Sequence, residues 1–436
     1  MLVSALCLPL PGLSPEAKYF LVRFVLACGE ADLEALGTKG YATRFGLVER
    51  HVTTALDELV RYGILAYTIK SSGRGRPKRF YRCTADLLSK LKMQEPADSV
   101  HAALIERLIQ PEEREPVPSA SQSLKADRLA GLRARRVGEQ LSVINRLLLA
   151  ILLCYTDRFG VCRLGRSAIC SASGLSQLRF ASRLEQLIRS GRVRSYVAGA
   201  SSDVLVTRVP NTYFINLNHP DLVGGSGHSL LLVSQVATCT SANELRHGWV
   251  LHDWCQHRKS KRSLDVDSFS LLVKCFVKQQ KHVFQLLQLK IEDYAAELLS
   301  RHWGELSSEK PLKISSLLER IGNDFSPPED VGGICKLLHD WAWELAKDIR
   351  ERLSDGRLDL PLESMEYVIL PHVWGRGYGV ICLIAEPKIP GGIAEQRRCL
   401  VFGENGQRLG FPNEGLPEEG LTLEQRYFFG LLTRPQ

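Results

Sequence analysis

The sequence predicts a mainly helical α+β protein of several domains, and three observations carry that prediction. Apolar residues at helical spacing recur in the front half, and the periodicity is helical over about residues 226–356. Twice, in residues 41–65 and 166–197, a glycine separates two short helical segments and a second glycine precedes a strand-like run. From Glu366 onward the pattern changes to short strands.

The totals bound the reading. A chain of 436 residues is long enough for roughly three domains. Hydrophobic residues at 44% and charged residues at 24% fit a globular chain that buries a core. No stretch approaches the ~20 apolar residues of a membrane span. The opening run MLVSALCLPLPGLSP lacks a cationic start and is broken by Pro9 and Pro11, so no signal peptide is expected. The twelve cysteines form no C-x-x-C pair, and Cys28, Cys154 and Cys275 sit in apolar periodic segments. They read as core residues of a reducing compartment. The expected location is the cytoplasm, associated with the nucleoid. Residues 1–220 hold 31 Lys and Arg against 19 Asp and Glu, a balance of +12 within a total of +8, which leaves −4 on the remainder. A basic front and a slightly acidic rear predict a polyanion-binding front half.

Ser14-Pro15-Glu16 is a helix start, with an N-cap serine, proline at N1 and an acid in the first turn. Tyr19, Phe20, Val22, Phe24, Val25 and Leu26 supply the buried helix, which stops near Gly29. In residues 41–65, Ala42, Phe45 and Leu47 bracket Gly46, and Val52, Ala55, Leu56 and Leu59 follow at helical spacing to Gly63. Residues 64–69 read as a strand and 79–84 as its return. The tip between them, SSGRGRP, leads into Lys78 and Arg79 and carries Arg74 and Arg76.

A helix, a helix-turn-helix and a basic two-stranded wing, in that order over residues 14–84, resemble the winged-helix family of bacterial DNA-binding proteins. The A-x-x-F-G-L…V-x-x-A-L-x-x-L-x-x-x-G-I-L pattern and the wing carry the resemblance. Val48 stands where the family places a polar N-cap, which predicts an irregular turn into the second helix. In this family that helix enters the major groove and the wing touches backbone or minor groove. The resemblance implies groove-facing roles for Glu49, Arg50, Thr53 and Thr54, and wing contacts for Arg74, Arg76, Lys78 and Arg79. The Gly-Arg-Pro core also resembles an AT-hook, whose arginines fit a narrow A·T minor groove.

The pattern recurs over about residues 138–218. An apolar helix, a short strand at 160–162, the turn Ser173-Gly174-Leu175-Ser176 and the stripe Phe180, Leu184, Leu187 and Ile188 precede Gly191 and a strand at 193–197. This copy also resembles a winged helix. The resemblance implies recognition positions at Gln177, Arg179, Ser182 and Arg183, with Arg192, Arg194 and Arg208 on the wing side. The second wing has far fewer cations, which suits either a lesser DNA contact or a protein contact. The expected layout is a first winged-helix domain at 14–94, a helix and Pro/Ser-rich basic linker at 95–136, a second winged-helix domain at 137–220, a helical domain at 221–360 and a small α/β domain at 361–436.

In the rear half, Phe269–Leu299 and Val331–Leu353 read as long helices. Residues 367–373, 379–385 and 398–402 read as strands, Glu404–Gln407 as a turn, and Thr422–Leu432 as a helix with a Thr-x-x-Gln capping box. Cys239, His247, His252, Cys255 and His257 match no standard zinc spacing. Glu386 and Lys388 after the strand VICLIA invite comparison with metal-dependent nucleases, but an aspartate at the expected strand end is missing. Gly375–Gly379 is a turn, and there is no P-loop, H-E-x-x-H or G-x-S-x-G motif.

The sequence thus points to a sequence-specific double-stranded DNA-binding protein, a transcriptional regulator that reads DNA with two recognition helices and a basic wing, without catalytic residues, metal or cofactor and with a homodimer left open. A replication initiator of a plasmid or mobile element is the alternative within DNA binding. A nuclease acting through the C-terminal domain and a protein-binding adaptor are the alternatives outside it.

Overall fold

The computed structural model describes residues 1–29, 36–70, 78–93, 99–110, 141–222, 230–236, 246–257, 268–325, 331–355, 361–371, 379–388, 399–402 and 418–434. The architecture is mainly helical α+β, with three small sheets. Two compact units divide the chain, Met1–Arg192 and Val193–Gln436. Among the described residues no helix is long and apolar enough to cross a membrane.

The first unit contains α1 (Leu2–Cys7), α2 (Pro15–Cys28), α3 (Thr38–Phe45), α4 (Glu49–Arg61), β1 (Leu65–Lys70), β2 (Lys78–Cys83), α5 (Ala85–Met93), α6 (Ala102–Ile109), α7 (Val143–Cys154), β3 (Val161–Arg163), α8 (Arg166–Ser173) and α9 (Gln177–Arg189). The two copies hold one register. Ser14 and Ser142, 128 positions apart, each cap a helix by accepting the backbone N–H of the residue three further on. Such a cap contributes about 1 kcal/mol. Helices α3 and α8 are both eight residues long, and α4 and α9 are both thirteen. The turn glycines Gly46 and Gly174 are left-handed, with φ of 67° and 72°. Only glycine adopts that conformation without a steric penalty.

Val48 does not disturb the turn into α4. Its backbone is extended, φ −76° and ψ 139°, close to Ser176 at −68° and 157°. What α4 lacks is a side-chain cap, which Ser176 supplies to α9 through the Arg179 N–H.

The core of the first copy is aromatic. Phe20 meets Tyr41 and Phe45 edge-on at 5.7 and 5.1 Å between ring centres. Arg23 is buried beside them and donates to the Ile109 carbonyl at 2.6 Å and the Arg44 carbonyl at 2.9 Å. One guanidinium therefore joins α2, α3 and α6. Helix α1, which the sequence reading left as an apolar run, packs on α2 and α7.

The second unit contains β4 (Val193–Val197), β5 (Thr212–Ile215), β6 (Leu230–Val236), α10 (His247–His257), α11 (Ser268–Phe276), α12 (Lys281–Arg301), α13 (Ser315–Asp324), α14 (Val331–Asp355), β7 (Met365–Ile369), β8 (Gly379–Pro387), β9 (Cys399–Phe402) and α15 (Leu423–Phe428). Strands β4 and β5 form an antiparallel hairpin. The larger sheet has the order β7-β8-β6-β9, antiparallel except for the parallel β6–β9 pair. Helix α12 packs against α14 and runs beside the edge strand β7. There the Ser300 hydroxyl accepts the Tyr367 N–H at 2.9 Å and donates to the Ala296 carbonyl at 2.6 Å.

Two expectations for this half are corrected. The single helix over 269–299 is two helices, broken at 277–280. The break frees Gln279 to bond Ser202 and Asp203 in the β4–β5 connection, at 2.8 and 3.0 Å. The helical reading of residues 226–356 also missed β6. Its sequence LLLVSQV opens on a run of four apolar residues, Leu230 to Val233, too short for periodicity alone to assign to helix or strand. The capping box of Thr422 and Gln425 is present. The turn at Glu404–Gln407 lies outside the described residues.

Candidate nucleic-acid interface

The apolar stripe of α4 fixes what its other face presents. Val52, Ala55, Leu56 and Leu59 are buried, so Glu49, Arg50, Thr53 and Thr54 are turned outward, and all four are exposed. Thr53 and Thr54 donate their hydroxyl protons to the Glu49 and Arg50 carbonyls. That leaves oxygen lone pairs and methyl groups facing outward, able to accept from a base amino group or to touch a thymine methyl. Arg50 supplies the guanidinium fork that matches the guanine edge.

Sequence reasoning overlooked two cations on α3. Tyr41, Ala42 and Phe45 are buried, while Lys39 and Arg44 are exposed. The same helical periodicity that identifies the buried residues places these two on the other side.

Arg79 on β2 is exposed and lies over the Tyr67 ring at 4.9 Å. Hydrogen bonding to Tyr81, aided by both tyrosines' charge, raises its guanidinium pKa further. The stack keeps the side chain extended along the outside of the hairpin. Lys78 begins β2. Its side chain, with Arg74 and Arg76 and the AT-hook-like core, lies outside the described residues.

The second copy is engaged differently. Gln177 and Ser182 are exposed, and between them Leu178 is 86% exposed. Arg179 pairs with Glu16 at 3.1 Å, so its charge is answered within the protein. Arg183 is half-buried and donates to Gln186, which also accepts from Asn145 on α7. A Cβ on Gly174 would stand 2.4 Å from the Leu13 carbonyl oxygen, so the turn between α8 and α9 lies directly on the chain that starts α2.

Arg192 and Arg194 are corrected: neither is a wing contact on the surface. Both are buried. Arg194 forms a two-pronged ion pair with Glu418 and also donates to the Leu431 carbonyl. Burial by itself would raise the Glu418 carboxyl pKa, but the Arg194 charge and hydrogen bonds, with Arg426 and Asn218, hold it below the usual range. Arg208 is exposed. The connection between β4 and β5 is held by Gln279, by a bridge from Leu205 to Phe325 and by the Val206 N–H on the Asp324 carbonyl. Two copies with one register thus carry different hairpins: in the second, the connection between the strands is tied down by Gln279, Asp324 and Phe325.

The other chemical candidates, where they are described, are engaged in packing and hydrogen bonds. His247 stacks flat on Trp341 at 4.6 Å, and burial drives its imidazole pKa down to about 3. His252 packs edge-on against Phe284, and the Cys255 thiol donates to the Val273 carbonyl. Lys388 donates to the Glu363 carbonyl at 2.7 Å. Among the described residues no three His, Cys, Asp or Glu side chains come together as a metal site. Cys239, the basic linker at 111–136 and the basic residues Arg258, Lys259, Lys261 and Arg262 lie outside the described residues. No protein-family model matches the chain, and no curated protein matches it in sequence.

Proposed function

We propose that the chain is a sequence-specific double-stranded DNA-binding protein, a transcriptional regulator of winged-helix type whose first copy is the reading head. Helix α4 enters the major groove, Arg50 reads a guanine, and Thr53 and Thr54 select among neighbouring bases. Arg79 and the basic hairpin tip follow the phosphate backbone or minor groove, with Lys39 and Arg44 adding backbone charge. The second copy serves mainly a structural role. One observation carries this division: Glu49, Arg50, Thr53 and Thr54 on α4 are exposed among the described residues, whereas Arg179, Arg192 and Arg194 of the second copy are paired or buried.

Selection from a pool of random duplexes at two salt concentrations tests the reading. The expected result is one compact motif, retained by an Arg183→Ala variant and weakened roughly 10- to 100-fold by Arg50→Ala. Retention without any motif, or a motif of two spaced half-sites lost equally in both variants, would refute it.

A further inference from the structure

A buried cluster in the first unit has no part in the proposed DNA contacts. Helix α1 ends at Cys7 and packs on α7, which ends at Cys154. Cys154 and Tyr155 lie beside the Cys7 thiol. Lys18, on α2, is 1% exposed and donates to the Leu8 carbonyl at 2.6 Å, one residue beyond Cys7. Cys7 itself is partly accessible, while Cys154 is buried.

We propose that Cys7 and Cys154 are a hydroperoxide-reactive dithiol, with Cys7 attacking, Cys154 resolving and Lys18 accepting the proton. Burial and position set these roles. The attacking sulfur must be reached from solvent, and the resolving sulfur must already touch it. An amine kept out of water gives up its proton far more readily than a surface lysine.

Electrostatics agree with this placement. Hydrogen bonds from Cys154 and Tyr155 and the Lys18 charge outweigh burial and hold the Cys7 thiol below its ordinary value. Burial draws the Lys18 ammonium down to about 7, against the pull of Cys7 and Cys154. The other thiols are pushed the opposite way, Cys83 to about 11 and Cys28 to about 12 by burial. Among the described cysteines whose values are displaced, Cys7 is held down while the others are pushed up.

In the first step the Cys7 thiolate attacks one peroxide oxygen. A sulfur–oxygen bond forms, the O–O bond breaks, and the departing oxygen takes a proton as alcohol or water. In the second step the Cys154 sulfur attacks the Cys7 sulfenic sulfur. The sulfur–sulfur bond forms and hydroxide leaves. The Cys154 proton passes through Lys18 to that hydroxide as water. Two thiols lose two electrons and two protons, and one peroxide is reduced. The product fastens α1 to α7 and closes a loop around the whole first copy.

The test treats the full chain with a small excess of hydrogen peroxide near pH 7.5, blocks remaining thiols and maps the peptides by mass spectrometry. The expected first product joins the Cys7 and Cys154 peptides with loss of two hydrogens and is reversed by dithiothreitol. Cys154→Ser should leave Cys7 as a sulfenic acid captured by dimedone, and Lys18→Met should slow the oxidation roughly tenfold. The wild-type map alone decides if either variant fails to fold. Cys28, Cys83 or Cys170 oxidising before Cys7 would overturn the proposal. So would a wild-type Cys7 that ends as sulfinic acid, or joined to Lys18, rather than bonded to Cys154.

Discussion

Arg194 and Glu418, 224 residues apart in the chain, form a two-pronged enclosed pair, with Nη1 2.7 Å from Oε1 and Nη2 2.6 Å from Oε2. Each side chain is 3% exposed. Asn218 donates to the same carboxylate, and the Arg194 carbonyl accepts the Thr433 N–H. The pair ties β4 to the C-terminal segment inside one unit. Removing one member strands a buried charge. Arg194→Ala should therefore cost about 3–5 kcal/mol. The paired replacement Arg194→Met with Glu418→Leu should cost less than either single change. Denaturant unfolding of the four proteins measures both, and a single variant as stable as wild type would contradict the account.

The same pair sets an acid limit. The Glu418 carboxyl pKa is lowered in the fold, so its contribution is present above its unfolded value of about 4.3 and is lost as pH falls through the folded value. Glu418→Gln should start less stable and show a shallower loss below about pH 4.3. Unfolding midpoints between pH 5 and pH 3 give the two slopes, and equal slopes would count against the pair.

Lys18 predicts the opposite trend on the alkaline side. Below about 7 it is charged both folded and unfolded, and the fold bears the full burial cost. Above that value the folded chain sheds the proton while the unfolded chain holds it to about 10.4. Stability therefore rises with pH from about 7. Cys7, lowered in the fold, contributes in the same direction. Beyond about 8.5 the raised thiols, Cys28, Cys83, Cys154 and Cys162, oppose the trend, because the unfolded chain ionises them first. Lys18→Met should flatten the rise between pH 7 and 8.5, read by denaturant titration at both values.

The equivalent glycines Gly46 and Gly174 separate strain from contact. Both have positive φ, and alanine there costs about 1–2 kcal/mol from the backbone alone. Among the described residues nothing lies within 4 Å of a Cβ on Gly46, whereas one on Gly174 meets the Leu13 carbonyl at 2.4 Å. Gly174→Ala should be the more destabilising by at least about 1 kcal/mol. Equal midpoints in thermal unfolding would remove the close approach as an energetic feature.

Two cations of the first copy should act differently on DNA. Arg50→Ala should relax base preference at one position of the motif. Arg79→Ala should weaken all sequences alike and reduce the salt slope of log K by about 1. Titrations of matched and mismatched duplexes at several salt concentrations distinguish the two effects.

Much of the fold was legible because local signals agreed. Ser14-Pro15-Glu16, Gly46, Gly63, Ser176 and the Thr422–Gln425 box each act within a few residues, and each stands where the sequence puts it. The outward face of α4 followed from its buried stripe in the same way. The failures needed distant partners. Nothing within ten residues of Arg194 announces Glu418, so an arginine after a recognition-like helix looked like a wing contact. Gln279 broke a helix for the sake of Ser202 and Asp203. Leu230–Val236 became a strand because β8 and β9 flank it. Long-range pairing decided these cases, and periodicity is blind to it.

The Ser300 hydroxyl has a consequence for self-association. An edge strand normally offers outward N–H groups to any passing strand, and that offer seeds cross-chain pairing. On β7 the Tyr367 N–H is already taken by Ser300, with α12 lying alongside. A side chain one hydrogen bond deep thus works as a plug at this margin of the sheet, blocking the docking point through which another chain would extend it.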